Sequence, residues 1–511
     1  MWLPIFSHPS TELEGLKDQP KTPSLKPSIK SFLSHLNHLR NYVPAAESRI
    51  AVSDISSETY ASFPNNGLSN ISSETHGSFP NKGVLNISSE TCGSFPSKGV
   101  SNVSTEETYG SLPKKGVSNI SSERYANLPN NGCDSLSIYV YDLPPMFNYD
   151  VKNNCTHIQP LHNKCDDNLN DGLGPEAKEL AGMLPESVLP ALYWTDLFWG
   201  ELLYHHRMFH YKCRTLDPES ATAFFVPFYV SFAVTKYLWG NHSWKERDWH
   251  SEMLIKWLQN QKWWKKSNGS DHFIMLGRMT WDFRRWRDID TDWGTSFLNM
   301  PAMQNVIRVS VERSIWDDLK IAVPYPTIFH PRSESDTIEW QSFVRSRHRN
   351  HLFTFVGGGR AASKNDFREL LKNRCLNEPT ACRHPRGDAF TRRSVFDCML
   401  AGSIPVFFWK RTAYLQYELF MPSEPESYSI FIHRDNVRNG MDIRRVLEGY
   451  SREEVQRMRE KVIEYIPRFV YAKPSQGLEK TRDAFDIAID GIFSKYKDHM
   501  ERGKIENSNE T

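Results

Sequence analysis

No stretch of this 511-residue chain is apolar for long enough to cross a bilayer. The longest candidate, Ala221 to Val234, falls short of the ~20 residues a spanning helix needs, and Pro227 interrupts it. It reads instead as a buried strand and a turn. Met1-Trp2-Leu3-Pro4-Ile5-Phe6 is too short for the apolar core of a signal peptide and is broken by Pro4. A charge excess is also missing: 62 Lys and Arg stand against 61 Asp and Glu, and the basic residues are scattered among acidic ones. That balance gives no reason to expect nucleic acid or an anionic membrane as main partner. Cysteine is sparse, eight in 511 residues, so disulfides are not the main source of stability.

What is present points to an oxidising, lumenal compartment. Asn-x-Ser/Thr triplets fall at Asn70, Asn86, Asn102, Asn119, Asn154, Asn241, Asn268 and Asn509, several in polar stretches that belong at a surface. Cys155 and Cys165 form the expected bridge, with Cys213 or Cys133 as a possible third partner. Residues 1–50 are polar and rich in Pro, Ser and Lys, a segment expected to be disordered. Residues 51–132 then carry a repeat: Ile55-Ser56-Ser57-Glu58-Thr59 recurs at Ile71, Ile87, Val103 and Ile120, spaced by 16 residues and finally by 17. A copy this short and polar cannot bury enough surface to offset chain entropy, so the repeat is expected to be a flexible glycosylated stalk. The 15 tryptophans include several in polar company, such as Trp239, Trp244, Trp249, Trp257, Trp263 and Trp264. Such rings can stack on sugar faces, but packing of amphipathic helices is the simpler account of any one of them.

From Leu136 the pattern changes to alternating apolar strands and helices. Leu136–Tyr141, Ala223–Tyr229 and Phe273–Leu276 read as strands, and Leu192–Tyr211 and Trp244–Trp264 as helices. This alternation predicts an α/β fold with doubly wound parallel sheets: a first domain over 136–330, a second over 335–490 and a polar tail over 491–511. In the second domain, Leu352–Val356 runs into Gly357-Gly358-Gly359-Arg360, which reads either as a donor loop or as a plain tight turn. Gly387-Asp388 precede Arg392, Arg393 and Ser394 at a helix start. Two guanidinium forks and a helix N-terminus converging on one point suit a diphosphate, the alternative being pairs with surface carboxylates. Asp397, one turn on, is placed to accept from ribose hydroxyls. Ala401-Gly402 end the helix, and Ile404–Phe408 reads as a buried strand.

The order of these residues resembles the plant exostosin-like glycosyltransferases, in particular the xyloglucan galactosyltransferase (katamari-like) group. Supporting stretches are Ile138–Pro145, Phe224–Tyr229, Asp271–Arg278 and Val323–Pro326, in the expected order over roughly 136 to 490. The resemblance implies the GT-B architecture, UDP-galactose as donor, a xyloglucan acceptor, and a type II protein held in the Golgi membrane by one N-terminal helix, a helix this chain does not show. Inverting transfer needs a general base near the acceptor oxygen and positive groups at the leaving diphosphate, for which arginines and a helix terminus suffice without a metal. Asp282 is the leading candidate base, with an ion pair to Arg284 or Arg285 as its alternative; Asp292 and Glu201 stand in reserve. The Asp-x-Asp spacing in Asp288–Asp292 reads as a solvated loop rather than a metal site. Across 374–386 no strand-like run appears, where the relatives carry one. Transfer of galacturonic acid or arabinose is a rival within the same class, and the gap, with the missing anchor, raises a second rival, an inactive glycan-binding relative.

Overall fold

The computed structural model describes residues 136–158, 164–314, 316–349, 367, 370–371, 383–384, 390–473 and 477–509. The N-terminal segment, the repeat, Gly357, Gly358, Arg360, Gly387 and Asp388 lie outside the described residues.

Six strands, β1 (Ile138–Val140), β2 (Arg214–Thr215), β3 (Ala223–Val226), β4 (His272–Leu276), β5 (Ile307–Ser310) and β6 (Lys320–Ala322), form one sheet in the order β2-β1-β3-β4-β5-β6. Every pairing is parallel. Alternate side chains of the central strands enter different apolar clusters: Ala223, Phe225, Phe273 and Met275 one, Phe224, Val226, Ile274 and Leu276 the other. Both faces are therefore covered, which is why these strands read as unbroken apolar runs. Burying each such Phe contributes about 2–3 kcal/mol. The winding reverses between β1 and β3, and in open α/β sheets ligands bind beyond the carboxyl ends of the strands at such a point.

Several element boundaries differ from the sequence reading. The helix expected over Leu192–Tyr211 is Gly200–Phe209. Leu192 and Tyr193 are instead bridged to Phe329 and Glu176, so backbone partners distant in sequence outcompete the helix there. The Trp244–Trp264 stretch divides into Trp244–Asn260 and Lys262–Ser267 because Gln261 is extended (ψ 141°). The apolar run from Ala221 splits at Pro227 into β3 and a short helix, Val230–Thr235.

The second sheet contains β7 (Arg383–His384), β8 (Val406–Phe407) and β9 (Ile430–Phe431), again all parallel. A strand thus occurs within 374–386 although no strand-like run is visible there. A two-residue pairing uses backbone groups alone, and no side-chain pattern announces it. Before β8 stands the helix Arg393–Leu400. It ends where Ala401-Gly402 predicts: Gly402 adopts φ +67°, and its N–H and that of Ser403 reach the Met399 and Cys398 carbonyls at 2.8 and 3.0 Å.

The last helix, Ala484–Asn509, continues past residue 490 into the segment expected as a polar tail, and it crosses onto the first sheet. Arg207 lies 3.5 Å from Asp486 and 5.2 Å from the Phe485 ring centre. Ile489, Ile492 and Phe493 join the cluster that holds Ile307, Ile321, Val395 and Phe407, so one apolar core runs through both units. Two doubly wound units joined in this way form the GT-B-type arrangement. Cys155 and Cys165 are bridged as expected, whereas Cys213 belongs to a separate disulfide rather than to that pair.

Candidate active site

The carboxyl ends of β4, β5 and β6 lead into Gly277-Arg278, Val311-Glu312 and Val323-Pro324-Tyr325, and the second unit meets them at Thr391. The Tyr325 hydroxyl lies 3.3 Å from Thr391 Oγ1, and the Tyr417 hydroxyl donates to the Val311 carbonyl at 2.8 Å. Burial pushes the Tyr325 phenol far up, and the charges of Glu312, Asp282 and Arg278 all act on it. Groups from three strand ends therefore gather around one buried tyrosine, facing the start of the Arg393–Leu400 helix.

That helix begins with extended Arg392 (φ −154°, ψ 143°), which supplies no side-chain cap, and no acidic residue occupies the first turn. Arg393 is buried. Its Nη1 donates to the Thr195 carbonyl at 2.6 Å, its Nε lies 3.3 Å from Asp397, and its Nη2 is enclosed without a hydrogen-bond partner. Thr195 Oγ1 continues the chain of contacts to His330 Nε2 at 2.7 Å, and His330 Nδ1 meets the Tyr471 carbonyl at 2.8 Å. Burial pushes His330 down to about 4, so the ring is neutral at physiological pH. Asp196 beside it is held low: burial opposes ionisation, but Lys164 at 2.7 Å, the Phe198 N–H and Arg393 outweigh it. The structure thus brings Arg393 and Asp397 together at the junction of the two units. Arg392 and Ser394 are half-buried at the helix start beside them, and the Arg392 Nε has no hydrogen-bond partner.

The carboxylates separate by environment. Asp282 is 0 % exposed, with Oδ2 accepting from Arg278 Nε and Oδ1 from Trp293 Nε1, both at 2.6 Å. Its partner is Arg278, not Arg284 or Arg285, which are held by Asp317 and Asp248. Both oxygens of this leading candidate are thus engaged within the protein, one of them by Arg278. Glu201 is 2 % exposed and accepts from the Ser231 and Gly277 N–H groups; burial pushes it up to about 8 against those bonds. In the Asp288–Asp292 loop, Asp288 pairs with Arg285, Asp290 accepts from the Trp244 N–H, and Asp292 pairs with Arg287. Sequence reading passed over Glu312. It is the second residue past β5, is half-buried, and accepts from the Thr280 N–H at 3.1 Å. A carboxylate just past an apolar strand was the available signal. Thr195 and His330 gave no local signal at all.

A model of the exostosin GT47 domain matches residues 132–385 and 376–447. The chain belongs to the exostosin GT47 family of glycosyltransferases. The two matched segments overlap at 376–385, inside the stretch that sequence reading singled out. Among curated relatives, xyloglucan galactosyltransferase XLT2 of Arabidopsis thaliana is 48% identical over 394 residues, 72% of this chain and 76% of the relative. Xyloglucan galactosyltransferase MUR3 of the same plant is 36% identical over 391 residues, 71% of this chain and 62% of the relative. Xyloglucan-specific galacturonosyltransferase 1, also from Arabidopsis thaliana, is 32% identical over 392 residues, 71% and 57% of the two chains. Family membership makes the chain a glycosyltransferase and implies a nucleotide-sugar donor and a glycan acceptor.

Proposed function

We propose that this enzyme transfers galactose, with inversion and without a metal, from UDP-galactose to xylosyl side chains of xyloglucan. The observation that carries the reading is the Arg393–Leu400 helix start, where Arg392 and Arg393 stand together opposite the strand ends that hold Arg278, Glu312 and Tyr325. The helix dipole and guanidinium nitrogens would hold the leaving diphosphate. Asp397 would keep Arg393 oriented. Of the carboxylates around Tyr325 and Arg278, Glu312 is the one with partial exposure, and it is the base in this reading. The galactosyltransferase names of the two more similar relatives support the sugar. Galacturonic acid is the second reading, supported by the third relative.

A lumenal, Golgi-held protein fits the Cys155–Cys165 bridge and the exposure of Asn154, Asn241 and Asn268. No helix among the described residues is long and apolar enough to cross a membrane. The test is incubation of the purified full chain with xyloglucan oligosaccharides and, in turn, UDP-galactose, UDP-galacturonic acid and UDP-arabinose, with and without chelator. A hexose mass added only from UDP-galactose, unaffected by chelator, is the expected product. Addition from another donor, or loss of transfer on chelation, refutes the corresponding part.

A further inference from the structure

Three tryptophans from the loops that follow β3 and β4 meet beside the cleft. Trp281 lies offset-stacked on Trp293, with ring centres 5.9 Å apart and planes 24° from parallel. Trp239 meets Trp293 edge-on at 5.2 Å and 76°. Trp239 and Trp293 pack against the apolar cluster under the sheet, while Trp281 keeps 37 % of its surface exposed. The group is fastened to the cleft, because Trp293 Nε1 donates to Asp282, whose other oxygen holds Arg278. Arg278 in turn lies 4.4 Å from the Phe198 ring centre. A partly buried hydrogen bond and edge-on packing hold the ring beneath Trp281, so Trp281 presents a supported aromatic face at the carboxyl edge of the sheet.

We propose that Trp281 is an acceptor-binding platform, on which one pyranose ring of a neutral glycan chain stacks while a neighbouring residue reaches the transfer point. The proposal rests on the glycosyltransferase reading of the cleft and adds a subsite to it. A sugar ring with equatorial hydroxyls carries axial C–H groups on its faces, and these meet the negative face of an indole favourably while the hydroxyls remain in water. The chemistry of the site matches that need. Trp281 lies at the sheet end where ligands of open α/β folds bind, and the polymer named for the family's relatives has pyranose faces and no charge along its backbone. The nearby carboxylate, Asp282, has both oxygens engaged by Arg278 and Trp293.

The experiment uses the full chain and its Trp281→Ala, Trp281→Phe and Trp249→Ala variants. Affinity electrophoresis in gels containing xyloglucan polymer, with dextran gels as control, is combined with acceptor kinetics and with UDP titration. Trp281→Ala is expected to raise the polymer KM or dissociation constant about tenfold, with most of that loss recovered by Trp281→Phe. Trp249, 46 % exposed on the Trp244–Asn260 helix, serves as the surface control and its variant should migrate like the parent. Equal retardation of the parent and Trp281→Ala overturns the platform, as does a Trp281→Ala loss that equally affects UDP. If the chain consumes UDP-galactose but binds no glycan through Trp281, the platform fails and the transferase reading stands. Glycan retention that depends on Trp281 without consumption of any UDP-sugar supports the platform and refutes the transferase reading.

Discussion

Replacing Arg393 by Met separates its contacts within the protein from the diphosphate contact proposed for it. The substitution removes a cation 3.3 Å from Asp397, which is 1 % exposed, and a donor at 2.6 Å from the Thr195 carbonyl in the other unit. Breaking a buried pair costs about 3–5 kcal/mol, and the rather long Arg393–Asp397 separation places this one near the lower end, about 3 kcal/mol. In a folded body of this size each kcal/mol moves Tm by about 1.5 °C, so Tm should fall by roughly 4–5 °C. Removing the carboxylate as well, in Arg393→Met with Asp397→Leu, should return most of that loss, because no buried charge is then left exposed to an apolar neighbour. UDP affinity should behave differently. A charge-assisted bond from the guanidinium to the diphosphate contributes about 1.5–3 kcal/mol, so the dissociation constant should rise roughly 10- to 150-fold in the single and the double variant alike. Thermal unfolding and UDP titration calorimetry on the three proteins read both quantities. Recovery of UDP binding together with Tm in the double variant would refute the diphosphate role and leave Arg393 as a tie between the two units. An unchanged Tm in the single variant would refute the energetic argument for the pair.

Glu312→Gln should lower kcat by about 10²–10⁴ with UDP affinity unchanged, and a variant that keeps near-parental turnover removes Glu312 as base. Glu201 predicts the sign of a pH effect. Its carboxyl rises from an ordinary 4.5 to about 8 through burial, so the folded state binds the extra proton and stability declines as pH rises from about 4.5 to 8, then levels off. The span of that decline is at most about 5 kcal/mol. Unfolding midpoints between pH 5 and 8 should fall for the parent and fall less for Glu201→Gln; parallel curves contradict the burial argument. Gly402→Ala should destabilise by about 2–4 kcal/mol, since φ is +67° and the added Cβ would sit 2.2 Å from Val344 Cγ1. Pairing it with Val344→Ala should recover the steric part, and a Gly402→Ala protein as stable as the parent contradicts the helix end described here.

What the chain discloses in sequence depends on how far away the deciding partner lies. The helix end at Gly402 is set within four residues, and the two-faced apolar character of β3 and β4 is set by a period of two; both were legible. The Cys155–Cys165 pair, ten residues apart, was legible too, but whether Cys213 joined it was not. Arg393 was recognisable as a cation at a helix start, whereas its acceptor, the Thr195 carbonyl, is 198 residues earlier and is a backbone atom that any residue type could supply. The same distance rule explains Asp282. Three arginines, Arg278, Arg284 and Arg285, lie within four residues of it, and local spacing cannot choose among them. The choice is made elsewhere: Asp317 takes Arg284, and Asp248, 37 residues from Arg285 in sequence, takes Arg285 with both carboxylate oxygens. Arg278 is then the partner left for Asp282. Glu312 inverts the case. It has no motif, yet the parallel register carries it to the carboxyl edge of the sheet because it is the second residue past the buried strand β5. A candidate base in a doubly wound sheet is therefore better sought among carboxylates one or two residues past a buried strand than among those flanked by arginines, since flanking arginines compete to bury the carboxylate.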